Sequence, residues 1–386
     1  VPAPTPASWP AAPRRRSVLH PEVGLPGPDA SPRRRELPRR AALHLTAIGP
    51  AAIAFGLTTT GLSGCGPLRV GQPPTYTPPP PGIDDLYRTD LVTALAQLEA
   101  GVRTLVGAAA SPEVGAELAR LHAALPVQRQ ALLTGAEAEQ EQERALDTTP
   151  GQTPDPTPGA PADVTDLVTQ LAGVRDLGAQ AARQVSGLLA RPVCAISAYA
   201  AWAVTRLVTA VGTGAVPPPP AAEEIVPTRE VPSQDPPSIA ARVDYDGALE
   251  RTQTDEWYTG YLLEVLAAQS EGDERKSLMT RSEAHRTLAT QLRTIATDDG
   301  GPVVVREAVY ALPENALDPT GRDRVIGTTL STLLVDHIAL AGFAPFERRP
   351  LPIAAALTLA AQLAPLTDAL SAMPSMEPDP NDLSND

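Results

Sequence analysis

Lysine is almost missing from this 386-residue chain: it occurs once, at Lys276. Arginine carries the remaining positive charge. With Ala and Pro abundant as well, the bias fits a GC-rich codon usage, so Ala or Arg frequency says little about structure. Acids outnumber bases, 45 to 31, for a net charge of −14. Residues 1–64 hold eight arginines against three acids, so the rest of the chain is more acidic still. A surface of that sign is a poor ligand for DNA or for an anionic membrane. The basic leader has no aromatic stacking partner apart from Trp9, so no nucleic-acid partner is expected. Cysteine is nearly absent too: Cys65 and Cys194 are the two in the chain, which excludes a disulfide framework. Cys194 reads as a small buried apolar residue. Strand signals are confined to Val303-Val304-Val305. Catalytic signatures are missing as well. There is no Gly-x-Ser-x-Gly elbow, and Val211-Gly212-Thr213-Gly214 lacks the Lys and the preceding strand of a phosphate loop. Glu137, Glu139, Glu141 and Glu143 alternate along what reads as a solvated helix surface rather than a calcium loop. His122, beside Leu121 and Leu125, reads as a residue at the boundary of an apolar stripe.

What is present begins with Leu62-Ser63-Gly64-Cys65. It closes an apolar stretch from Ala41 that follows Arg39-Arg40, a basic n-region, an apolar h-region and small residues before a cut site. The run resembles a bacterial lipoprotein signal, with Leu62, Ser63 and Gly64 as the lipobox. The resemblance implies cleavage before Cys65, acylation of its thiol (palmitate and related chains), and a membrane partner reached through that lipid anchor. An uncleaved signal anchor is the alternative, although Gly49-Pro50 and Thr58-Thr59-Thr60 make a poor span. Arg39-Arg40-Ala41-Ala42-Leu43 also resembles a twin-arginine export motif, with Ala42 where Phe often stands. The expected location is the outer face of the cell membrane.

Proline divides the rest. Residues 65–83, with Pro73-Pro74 and Pro78 to Pro81, favour polyproline II, which at 3.1 Å per residue could hold a folded part up to about 50 Å from the lipid. A second Pro-rich stretch, 214–238, reads as an interdomain linker, and residues 148–161 read as a loop. The tail, 374–386, is acidic and expected to be disordered. Between the breaks, apolar residues repeat at helical spacing. Leu91, Leu95, Leu98, Val102 and Leu105 mark one helix, and Val114, Leu118, Leu121 and Leu125 a second. A third opens with Val164, Leu167, Leu171 and Val174, and a fourth with Ile196, Tyr199, Ala203 and Leu207 after Pro192. Four more are expected near 239–269, 273–297, 321–341 and 352–372. The expected fold is all-α: two tandem helical bundles, 84–213 and 239–373, or one larger continuous bundle.

The stretch 243–373 resembles a ferritin-like domain of unknown function found in exported actinobacterial proteins. Glu256-Trp257-Tyr258-Thr259-Gly260-Tyr261, His285-Arg286-Thr287-Leu288 and Tyr310-Ala311-Leu312-Pro313 carry the likeness. The family pattern has Glu-His where this chain has Glu256-Trp257. The resemblance implies a four-helix bundle with a long central connection, and no reaction.

Ferritin-like di-iron sites need Glu-x-x-His on two helices, because residues three apart share a face. The chain has no such motif, and Glu283-Ala284-His285 has the wrong spacing. No cofactor and no di-iron centre are expected. A weaker constellation remains. Glu256 shares a face with Tyr245, Leu249, Thr252 and Leu263, and His285 shares one with Leu278, Ser282, Leu288, Leu292 and Ile295. The intervening turn centres near Ser270-Glu271, which sets Glu256 and His285 level in an antiparallel pair. His337, in the stripe Ile326, Leu330, Leu333 and Leu340, falls within about a turn of that level. One carboxylate and two imidazoles could bind a single divalent metal, or Glu256 and His285 could form a structural pair. Gly342–Arg349, with two aromatics and two arginines, either docks a partner or closes the end of the bundle. These features point to a non-enzymatic envelope lipoprotein that binds or scaffolds a protein partner of unknown identity. A metal-binding protein using Glu256, His285 and His337 is the alternative.

Overall fold

The computed structural model describes residues 80–147, 157–231, 239–313, 316–318 and 320–376. Cys65, the lipobox Leu62-Ser63-Gly64, the export motif Arg39-Arg40, nearly all of the tether and residues 377–386 of the tail lie outside the described residues.

Among the described residues there are nine α-helices and no strand: α1 (Ile83–Val106), α2 (Pro112–Leu132), α3 (Gly135–Asp147), α4 (Val164–Gln184), α5 (Gly187–Val211), α6 (Arg242–Ala268), α7 (Gly272–Asp299), α8 (Arg322–Phe343) and α9 (Pro350–Leu363). Local chemistry sets many of the ends. Ser111 caps α2 by accepting from Val114 N, with Pro112 in the first turn, and Asp163 caps α4 by accepting from Asp166 N. Gly300 closes α7 in the left-handed region, φ 66°, which a residue with a Cβ rarely adopts.

The described residues belong to one compact unit. α5 is its centre: it packs on α2 and α4 from the first half and on α8 and α9 from the second. One apolar core runs from Ile83 and Leu91 on α1, through Cys194 and Trp202 on α5, to Leu330 on α8 and Leu363 on α9. α5 is apolar all round, with Val193 through Val204 buried without a break, as a helix surrounded by others must be. α5 and α8 are long and apolar enough to cross a membrane, and both are mostly buried among the other helices.

Of the segment expected as a linker, residues 214–231 are instead a strap bound to the bundle, and 232–238 lie outside the described residues. Arg175 Nη1 donates to Pro217 O at 2.7 Å, Gln184 Nε2 donates to Arg229 O at 2.6 Å, and Ile225 is buried in the core. Proline leaves these carbonyls without local partners, and side chains of α4 satisfy them. Two helix ends also differ from the sequence reading. α5 starts five residues before Pro192: the carbonyl its missing N–H would have met belongs to Leu188, which is 89% exposed at the helix start. α9 stops at Leu363 rather than near 372, because Pro365 has no N–H for the carbonyl of Ala361. Leu366 and Leu370 still pack on the core from the turn that follows. Val303-Val304-Val305 forms no strand. Its backbone is held by Gln253, which donates to Pro302 O at 3.0 Å and accepts from Val304 N at 3.2 Å.

The segment 342–349 closes one end of the bundle. Arg348 pairs with Asp299 at 2.6 Å. Arg349 is fully buried and donates to Ala344 O at 2.9 Å, Ala182 O at 3.2 Å and Val185 O at 2.5 Å. The last two carbonyls belong to the end of α4, so one guanidinium ties the first half to the second.

Candidate functional site

α6 and α7 approach closely at Gly260. A Cβ there would meet Arg286 Cγ at 2.9 Å and Ser282 O at 3.2 Å, and Ser282 Oγ donates to Gly260 O at 2.6 Å. One turn earlier on α6 that proximity brings Glu256 against α7. His285 Nδ1 lies 2.7 Å from Glu256 Oε2, and from α8 His337 Nε2 lies 2.7 Å from Glu256 Oε1. The structure therefore brings together all three residues the sequence singled out. Glu256 and His337 are fully buried, and His285 is 6% exposed.

Burial pushes the Glu256 carboxyl up, but the two imidazole hydrogen bonds outweigh it and hold the group below its ordinary value. A carboxylate only accepts, so each facing ring nitrogen carries its proton: His285 at Nδ1, His337 at Nε2. His337 Nδ1 is buried with no partner. Among the described residues nothing hydrogen-bonds His285 Nε2, and His285 is the imidazole that reaches a cavity. Each Glu256 oxygen is spent on a different ring. Among the described residues no three His, Cys, Asp or Glu are arranged to hold one metal ion.

The cavity, about 580 Å³, lies between α7 and α9. α7 packs on α6, and α9 packs on α8 and α5, which leaves a gap between them. Leu288, Leu351, Ala354 and Leu359 give it apolar walls, Pro219-Pro220 of the strap border it, and Glu256 and His285 form part of its floor. Two polar side chains on its wall are incompletely paired: Arg281 Nε and Nη2, and Gln362 Oε1, are buried without hydrogen-bond partners. Sequence reasoning missed both. Arg281 lies one turn before His285 on the same stripe, and that spacing was the signal available.

Next to Glu256 and His337 in sequence sit Asp255 and Asp336, also overlooked. Asp336 is 5% exposed, and no hydrogen-bond donor reaches its Oδ2. Burial first, then the hydrogen bond and charge of Asp255, push its carboxyl up to about 8; Arg251, with Nε at 3.6 Å, opposes the shift. Between the unfolded value near 4 and that raised value, the folded protein holds a proton that the unfolded chain has released. Stability is therefore lost as pH rises from about 4 to about 8. Asp336→Asn keeps a donor toward Asp255 without the second charge. Its stability relative to wild type is expected to rise by roughly 1–2 kcal/mol between pH 5 and pH 9, since Arg251 and nearby solvent screen part of the repulsion. Melting curves across that range check it, and parallel profiles for the two proteins would contradict it.

The remaining marked residues stand apart from the site. His122 is exposed on α2, and Cys194 is buried on α5, where desolvation pushes its thiol up to about 12. No protein-family model, curated protein or solved structure matches the chain.

Proposed function

We propose that this chain is a cell-envelope lipoprotein, anchored through an acylated Cys65 to the outer face of the membrane, whose helical bundle binds a small, largely apolar ligand without catalysing a reaction. The cavity between α7 and α9 carries the ligand-binding part of this reading, and Leu62-Ser63-Gly64-Cys65 the anchoring part. Its volume of about 580 Å³ is within the 300–1,000 Å³ usual for small-molecule sites. Its walls are largely apolar with a small number of polar side chains among them, the pattern of a small-molecule site. In this reading α6–α9 are a ferritin-like bundle in which Glu256, bridged by His285 and His337, stands where related bundles hold metal. The bridge stiffens the cavity floor. The alternative, a mononuclear metal site on the same three residues, would appear as stoichiometric metal in the purified protein that His285→Ala removes.

The test is binding of the neutral fluorophore N-phenyl-1-naphthylamine to the full-length chain. Saturable enhancement at one site is expected, lost in Ala284→Trp. Ala284 is an exposed residue on the cavity's α7 wall, so a tryptophan there fills the cavity mouth without a core clash. No saturable enhancement, or enhancement unchanged in Ala284→Trp, would overturn the reading.

A further inference from the structure

The cavity has a polar end and an apolar end. α6 and α7 are antiparallel, since Glu256 meets His285 and Gly260 meets Ser282. α6 and α8 are antiparallel as well: Glu256 meets His337, while Tyr245 and Leu249, before Glu256, cluster with Leu340 and Ala344, beyond His337. α9 folds back on α8. It follows that α7 and α9 run in opposite directions. Arg281, early in α7, is then at the end of the cavity where Gln362 closes α9. Leu288, further along α7, is toward Leu351 in the first turn of α9. Leu351 packs in the cluster that holds Leu292 and Ile295 of α7, which fits that direction.

Arg281 is the one permanent cation among the lining residues. Among the described residues it has no ion pair within 4.0 Å; Asp323 is the acid that acts on it from further away. Nε and Nη2, which share an edge of the guanidinium, are both without partners. That edge matches the two oxygens of a carboxylate. Turning it toward a ligand would break no hydrogen bond on Nε or Nη2. A single positive charge balances a monoanion and leaves a doubly charged phosphate half neutralised. The volume holds about 20 non-hydrogen atoms at roughly 30 Å³ each.

Resting on the ligand-binding reading above, we propose that the ligand is a single-chain fatty carboxylate. Its head is bound by Arg281 beside Gln362, and its chain lies along Leu288, Leu351 and Ala354. The test is displacement of N-phenyl-1-naphthylamine from the full-length chain by myristate, tetradecanol and decyl phosphate. Myristate is expected to displace it at a concentration at least about tenfold below tetradecanol, the worth of one bidentate charge-assisted contact. Arg281→Gln should abolish that preference while changing tetradecanol less than about twofold, which also shows that the variant's cavity is intact. Equal displacement by acid and alcohol, a preference retained in Arg281→Gln, or decyl phosphate acting as well as myristate would each overturn the carboxylate assignment and leave the cavity a neutral or less selective site. Failure of the fluorophore itself to bind would instead remove the ligand-binding reading on which the assignment rests.

Discussion

Glu256→Leu is expected to lower the stability of the protein by about 3–5 kcal/mol, the cost of removing one member of a buried charged network and leaving its partners unsatisfied. Leucine has nearly the right volume, so little of the loss comes from a void. It comes from His285 and His337, each of which loses a 2.7 Å hydrogen bond, His337 at a fully buried position. Glu256→Gln should cost less, about 1–2 kcal/mol: the amide offers one acceptor and one donor, so one imidazole must present its lone pair instead of its proton. The triple variant Glu256→Leu, His285→Leu, His337→Leu should recover much of the loss, because removing a whole buried polar group is cheaper than orphaning part of it. Urea denaturation with an unchanged m-value measures the series. A single Glu256→Leu variant within 0.5 kcal/mol of wild type would mean that the bridge does not form.

Arg349→Met should be nearly as damaging, at about 3–4 kcal/mol. The methionine fills part of the space and removes the cost of a buried charge, which is visible in the arginine being pushed down to about 10 by its surroundings. It leaves Ala182 O, Val185 O and Ala344 O without donors. Each orphaned buried carbonyl costs about 1–3 kcal/mol, offset in part by the relief of desolvation. Because two of those carbonyls end α4 and the arginine opens α9, the loss should appear as local opening between the halves. Amide exchange at the end of α4 should accelerate more than at the centre of α5. Uniform acceleration across the chain would argue against a tie at this corner.

The sequence carried the helices because a 3.6-residue period writes itself into the order of apolar side chains. Leu91, Leu95, Leu98 and Val102 were one face on paper and are one buried face in the fold. The level of Glu256 and His285 was legible for a related reason: two helices joined by a short turn have one register, and counting residues from the turn fixes it. His337 needed only the assumption of similar helix lengths. What could not be counted was which helices share a neighbour. α5 joins both halves because it is apolar on every side, a property that the stripe Ile196, Tyr199, Ala203 and Leu207 understates. The cavity depends on how far apart α7 and α9 are held by α5, α6 and α8 together, and on a Pro-rich strap whose partners lie on α4. Those are sums over many side-chain volumes, and no periodicity encodes them. Arg281 and Gln362 become notable only once the gap between their helices is known. The end of α9 turned on a single residue, Pro365, outweighing the leucine spacing that continued through Leu366 and Leu370.

Long-range ¹H–¹⁵N spectra of the histidine side chains test the bridged carboxylate most directly. They should show His285 protonated at Nδ1 and His337 at Nε2, both protons far downfield from strong hydrogen bonds to one carboxylate, with at least one of them moving upfield in Glu256→Gln. Finding His285 protonated only at Nε2, or both ring protons unmoved by Glu256→Gln, would contradict it.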